Sequence, residues 1–109
     1  MSILHSIAGL FSRAGRDENL LQQALAHAKA KRPEKALEIY NQLLASGSTN
    51  SQTRARALFN RALAYSSLDD DDKALADLEH VLALPDVPDN VQSAARSQLA
   101  RVRRRNAEK

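Results

Sequence analysis

The sequence predicts a single all-α domain, and three observations support this fold class. Along most of the 109-residue chain, apolar residues recur at the three- and four-residue spacing that places them on one face of a helix. Aromatic residues make up only 4% of the chain and Trp is missing, so a core must be built from Leu, Ala, Ile and Val. No stretch alternates apolar and polar residues convincingly, so no β-sheet is expected.

The first predicted helix is amphipathic and covers residues 2–14. Gly15 is expected to end it, as glycine commonly does after a last helical turn. The segment contains Ser, His and Arg but no acidic residue. Three roles fit this composition: a helix packed on the rest of the domain, a helix that contacts a partner or a membrane surface, and a mitochondrial transit peptide. We favour the packed helix.

Five further apolar stripes predict five more helices, and Gly and Pro mark the boundaries between them. Pro33 stands in the first turn of a helix, where a missing N–H is tolerated. Gly47 follows the second of these stripes, and Pro85 and Pro88 follow the fourth. The last stripe predicts a helix over 89–105, and its arginine-rich outer face suits a solvent-exposed cap.

Two of the predicted helix pairs are copies of one another. ALAHAKAKRPEKALEIYNQLL (24–44) aligns without a gap on ALAYSSLDDDDKALADLEHVL (62–82), with an offset of 38 residues. Alanines at equivalent places allow two antiparallel helices to approach closely, and larger neighbours fill the space beside them. One such pair cannot bury its own apolar face, so the pairs are expected to stack.

On these residues the chain resembles the tetratricopeptide repeat family. The best match lies in residues 60–86, where the small, aromatic, large apolar and proline positions of the family are filled. Those positions hold Ala62, Tyr65, Ala74, Leu78 and Pro85. The resemblance implies an α-solenoid fragment over residues 1–109, with repeats at 17–46 and 52–85. The N-terminal helix and a C-terminal capping helix flank the two repeats.

The resemblance also implies a binding site, because members of the family bind peptides along the first helices of successive repeats. The implied groove is lined by Leu21, Leu25, Lys29, Arg56, Phe59, Asn60 and Leu63. Asn60 matches an asparagine that commonly bonds the backbone of a bound peptide. Chaperone-binding members place Lys and Asn where this chain has Leu21 and Leu25, so a clamp for chaperone C-termini is not expected. The same apolar side chains would equally suit packing within the chain or against a second copy.

The expected function is therefore protein–protein interaction without catalysis, as an adaptor or scaffold that binds a peptide or an amphipathic helix. The alternative is a self-assembling scaffold, because the turn at 31–35 has a net charge of +2 and the turn at 69–73 one of −3. A weaker alternative is binding of nucleic acid or acidic membrane by the basic tail at 101–109. Nucleic acid is not expected, because no aromatic residues interleave with the arginines.

Other kinds of site lack the residues they need. Asp69–Asp72 have neither the central Gly nor the alternating ligands of a calcium loop, and are expected to form a turn and a helix cap. His5, His27 and His80 show no metal spacing and no catalytic constellation. Without Cys there is no disulfide and no thiol catalysis. We expect no enzyme activity, metal, cofactor or small-molecule substrate. We also expect a cytoplasmic location, with mitochondria as the alternative.

Overall fold

The computed structural model of the chain describes residues 13–47 and 49–109. These residues form helices and no strand, so the predicted all-α class is confirmed. The helices are α1 (Arg13–Lys29), α2 (Pro33–Leu44), α3 (Ser51–Ser67), α4 (Asp71–Ala83) and α5 (Asp89–Ala107). Most of the predicted N-terminal helix, residues 2–12, lies outside the described residues.

The predicted helix end at Gly15 is wrong. α1 passes through Gly15 without interruption. A single glycine inside a helix costs only about 1 kcal/mol relative to alanine. Burial of Leu21 and Ala24 further along the same helix offsets that cost. Arg13 and Ala14 therefore belong to the first helix of the first pair.

The helices form two layers. Each helix packs against the next one in the chain, and α3 also contacts α1 and α5. Short turns join α1 to α2 and α3 to α4, so each pair is antiparallel. The first helices of the pairs thus lie side by side, with α1, α3 and α5 in one layer and α2 and α4 in the other.

The turns inside the two pairs share one backbone conformation. Lys31 and Asp69 each have a φ of 61°, the left-handed conformation that commonly ends a helix. The N–H of the next residue donates to the carbonyl oxygen of His27 in the first pair and of Tyr65 in the second, at 2.9 Å in both. Equivalent positions of the aligned segments therefore adopt equivalent structure.

Small residues are fully buried in both helix pairs. The alanines at equivalent positions of the two pairs are fully buried: Ala24, Ala36, Ala62 and Ala74. Tyr40 and Leu43 fill the core of the first pair, and Leu78 and Val81 fill that of the second. The buried alanines and the larger side chains that fill the core beside them are those that the sequence predicted.

The last helix covers the second pair. One face of α5 is buried in the same core as Leu78 and consists of Val91, Ala95, Leu99 and Val102. Arg101, Arg103 and Arg104 lie exposed on the opposite side. The helix therefore closes an apolar surface with one face and presents charge to water with the other.

Arg61 joins three helices by hydrogen bonds. From α3, its Nε and Nη2 donate to the two carboxylate oxygens of Asp77 on α4, at 2.8 and 2.7 Å. Its Nη1 donates to Oδ1 of Asn41 on α2, at 2.9 Å. The Asp77 side chain is only 7% exposed, so this bidentate pair compensates a charge that is largely removed from water.

Candidate functional site

A groove runs between α1 and α3, on the layer formed by the first helices of the pairs. It has two adjoining parts, with volumes of about 570 and 470 Å³. Ala28 and Asn60 line both parts, so the groove is continuous along the two helices. Leu25 and Leu63 supply the larger apolar side chains of the lining. A concave, largely apolar surface with a few polar groups is the usual form of a binding site.

The charge of the groove is positive at one end. Lys29, at the end of α1, and Lys31, in the turn that follows, both line it. The rest of the lining is apolar or uncharged, and includes Gln22 and Ser67 but no carboxylate. A ligand with an acidic group therefore finds complementary charge near the α1–α2 turn.

Asn60 lies at the middle of the groove, where the two parts meet. Its Nδ2 donates to the carbonyl oxygen of Arg56 one turn earlier on α3, at 2.8 Å. This bond fixes the amide and leaves Oδ1 as an acceptor with no other partner among the residues described. Oδ1 is thus placed to accept an N–H from a bound peptide backbone.

Family models of the tetratricopeptide repeat match residues 18–46 and 55–86, which together make up more than half of the chain. The chain belongs to the tetratricopeptide repeat family. The two matched segments cover most of α1 and all of α2, and most of α3 and all of α4. The resemblance seen in the sequence is confirmed. Tetratricopeptide repeats generally mediate protein–protein interaction, and proteins of the family are typically non-catalytic. No curated protein and no solved structure shows a significant match.

The tetratricopeptide repeat groove contains four of the seven side chains predicted to line it. Leu25, Lys29, Asn60 and Leu63 border it directly. Their part in binding stays a prediction.

The other three predicted groove residues do not border these two parts. Leu21 is only 1% exposed and packs in the core with Tyr40, so it does not line the groove. Phe59 is partly buried against the core that α5 covers. The Arg56 side chain is exposed on α3, and its carbonyl oxygen accepts the hydrogen bond from Asn60. Leu21 and Leu25 belong to one wide apolar stripe, and the rotation of α1 buries the former against α2.

The four aspartates at 69–72 play different parts. Asp69 occupies the left-handed position of the turn, and the carboxylate of Asp70 caps α4 by accepting the N–H of Lys73 at 3.3 Å. The predicted turn and cap are thus confirmed. Asp72 is exposed in the first turn of α4, where its negative charge interacts favourably with the positive end of the helix dipole.

Asp71 forms an ionic contact with the end of the chain that sequence reasoning missed. Arg105 Nη2 lies 2.5 Å from one oxygen of this buried carboxylate, and Lys109 Nζ lies 2.9 Å from the other. Arg105 Nη2 also donates to Oγ of Ser66, at 2.6 Å. Hydrogen bonds from Arg105 and Lys109 lower the pKa of Asp71 to about 2, so the carboxylate is ionised at neutral pH. Part of the basic tail is therefore bound to this tetratricopeptide repeat domain.

The described residues contain neither a metal-binding cluster nor a membrane-spanning helix. Within residues 13–47 and 49–109, no three His, Asp or Glu side chains come together in a way that would hold a metal ion. None of the helices in that part of the chain is long and apolar enough to cross a membrane.

Proposed function

We propose that the groove between α1 and α3 binds a peptide segment of a partner protein, so that the chain acts as a non-catalytic adaptor or scaffold. The observation that carries this proposal is the continuity of the groove across both repeats. Leu25 and Leu63 offer apolar contact on either side of Asn60, which offers a backbone acceptor. Apolar anchors beside one fixed polar group suit an extended peptide or one face of an amphipathic helix.

The lining also indicates the chemistry of the ligand. Lys29 and Lys31 give one end of the groove positive charge without an opposing carboxylate in the lining. A peptide with two or three apolar side chains and an acidic residue near the α1–α2 turn therefore fits best. Exposed charges are screened by salt, so affinity should fall as ionic strength rises.

The test uses random short peptides displayed on phage and selected on the full chain. Selected peptides are then synthesised and titrated calorimetrically against variants. Leu25→Asp places a charge on the apolar wall and is expected to weaken binding at least about tenfold. Asn60→Ala removes one hydrogen bond and should weaken it about fivefold. The selected sequences should be enriched in apolar and acidic residues.

Ala76→Asp is the matched control, because it adds the same charge at an exposed position of α4 outside the groove. Its affinity for the selected peptides should equal that of the unmodified chain. The proposal fails if the selected peptides bind Leu25→Asp as tightly as they bind the control. It also fails if the selection yields no peptide that binds the chain in solution.

A further inference from the structure

The turns inside the two repeats lie next to each other at one edge of the domain. Lys31, in the α1–α2 turn, and Ser67, the last residue of α3, line the same part of the groove. The α3–α4 turn begins at the residue after Ser67. A basic turn and an acidic turn of one shared backbone conformation are therefore neighbours on one surface.

The charge at this edge is only partly neutralised within the chain. Asp70 pairs with Lys73, and Asp71 pairs with the tail. Asp69 and Asp72 are exposed and form no ion pair among the residues described, although Asp69 acts on Arg105 through space. Lys31 in the neighbouring turn is likewise exposed without an ion pair in the described part of the chain. The positive charge of Lys31 and the negative charges of Asp69 and Asp72 thus lie at the same edge without forming an ion pair in the described part of the chain.

An exposed leucine directly follows a residue that lines an apolar recess at the same edge. Leu68, in the acidic turn, is 38% exposed and is the large hydrophobic side chain that the described residues leave most open to water. The recess is the part of the groove bordered by Ala28, Pro33 and Leu63, with a volume of about 470 Å³. Because Ser67 lines the recess and Leu68 follows it, the exposed leucine and the recess are neighbours on one molecule, which is the arrangement that a self-complementary surface requires.

We propose that two copies of the chain associate through this edge as a twofold-symmetric dimer. The acidic turn of each copy docks on the basic turn of the other, and Leu68 of each enters the recess of the other. A twofold axis between the turns forms both contacts at once and closes the assembly. An interface made of two turns and one leucine from each copy is small, so we expect weak association, with a Kd of about 0.1 mM. The dimer would cover the Lys31 end of the groove, but its formation does not depend on peptide binding.

Sedimentation equilibrium of the full chain is the first measurement. The average mass should rise from 12.0 kDa towards that of a dimer as the protein concentration increases. It should return towards the monomer value between about 0.05 and about 0.5 M NaCl, because the exposed charges are then screened. A strict monomer at about 1 mM protein and low salt would overturn the proposal.

Charge exchange identifies the surfaces that meet. Lys31→Asp and Asp69→Lys each put like charges opposite one another, so each variant alone should self-associate at least about tenfold more weakly. An equimolar mixture of the two variants should associate again, because both contacts of the mixed dimer are once more between opposite charges. The double variant with both changes should also self-associate. Each turn tolerates the new residue, since Lys and Asp already occupy this conformation in the two turns.

Asp86→Lys provides a matched control. Asp86 is exposed, has a φ of 56°, and lies in the α4–α5 loop, at the opposite end of α4 from the acidic turn. The control should associate like the unmodified chain, and Leu68→Ser should associate several-fold more weakly. The proposal is overturned if the single exchange variants associate normally, or if their mixture stays monomeric. Circular dichroism of every variant checks that the helices are retained.

Discussion

The two repeats have the same backbone but are held together by different interactions. In the first, Tyr40 fills the core, and its hydroxyl group is buried with no hydrogen-bond partner among the residues described. In the second, the position equivalent to Tyr40 is occupied by Leu78. The residue before it, Asp77, forms an ion pair with Arg61, whereas the equivalent residue of the first repeat is the apolar Ile39. The core of the first repeat thus contains a hydroxyl group without a hydrogen-bond partner, whereas an ion pair lies beside the core of the second repeat.

This difference separates the positions that specify the fold of each repeat from those that bind the repeat to neighbouring helices. The alanines repeat because both pairs bury a small residue completely at these positions. The neighbouring positions differ because each repeat has different neighbours. The second repeat lies between α2 and α5, and Arg61 reaches α2 while Asp71 holds the tail that follows α5.

The largest expected effect comes from breaking the ionic contact of the second repeat. Asp77→Ala leaves the half-buried Arg61 guanidinium without its bidentate partner and should lower the free energy of unfolding by about 3 kcal/mol. Urea denaturation followed by circular dichroism measures the change.

Glu79→Ala is the control for that variant, since Glu79 pairs with Arg103 at 3.3 Å at the surface, with both side chains more than half exposed. Its cost should stay below about 0.5 kcal/mol. Equal costs for the two variants would show that the buried pair does not set the second repeat apart.

The ionic contacts that distinguish the repeats could not be predicted from the sequence, whereas the helices could. Apolar spacing is local, so it predicted the four repeat helices and their buried alanines. Arg61 and Asp77 are 16 residues apart, and Asp71 and Arg105 are 34 apart. Their meeting depends on how each helix is rotated and placed, which periodicity does not specify. A signal was present for the second pair, because a segment of net charge −7 (69–89) precedes one of +5 (90–109).

The groove was predicted in part for the same reason. Leu25, Lys29, Asn60 and Leu63 were assigned from the family pattern and border the groove. Leu21 was assigned from the same pattern but is buried, because an apolar stripe does not reveal which of its members the neighbouring helix covers. The continuation of α1 through Gly15 was missed because tertiary burial outweighed a local helix-breaking signal.

A smaller effect is expected from removing the unsatisfied hydroxyl group of the first repeat. Tyr40→Phe keeps the ring that fills the core and removes a hydroxyl group that loses its hydration on folding without gaining a hydrogen bond. The substitution should therefore raise the free energy of unfolding by about 1 kcal/mol. Tyr65→Phe is the control, because the Tyr65 ring is only half-buried. A loss of stability in Tyr40→Phe would mean that the hydroxyl group has a partner.

The same substitution should change the response to alkaline pH. Burial raises the pKa of Tyr40 from 10.0 to about 12, so the folded protein keeps this proton to a higher pH than the unfolded chain. Ionisation of Tyr40 therefore leaves the free energy of unfolding unchanged below pH 10 and lowers it as the pH rises from 10 through about 12. Tyr40→Phe should lack this loss, and its stability advantage should therefore widen above pH 10.

The smallest effect concerns the lysine that the two repeats share. Lys35 and Lys73 are equivalent, and each makes one exposed ion pair at 3.7 Å, with Glu38 and Asp70 respectively. Lys73 Nζ also lies 5.5 Å from the centroid of the Tyr65 ring, whereas the first repeat has His27 in place of that aromatic residue.

Because both lysines lose a similar ion pair, the difference between Lys73→Ala and Lys35→Ala isolates the contact with the ring. Lys73→Ala should cost about 0.5 kcal/mol more than Lys35→Ala. In a Tyr65→Leu background the two costs should become equal, because the aromatic face is then missing. A difference that persists in that background would assign the effect to the cap of α4, where Asp70 accepts the N–H of Lys73, and not to the ring.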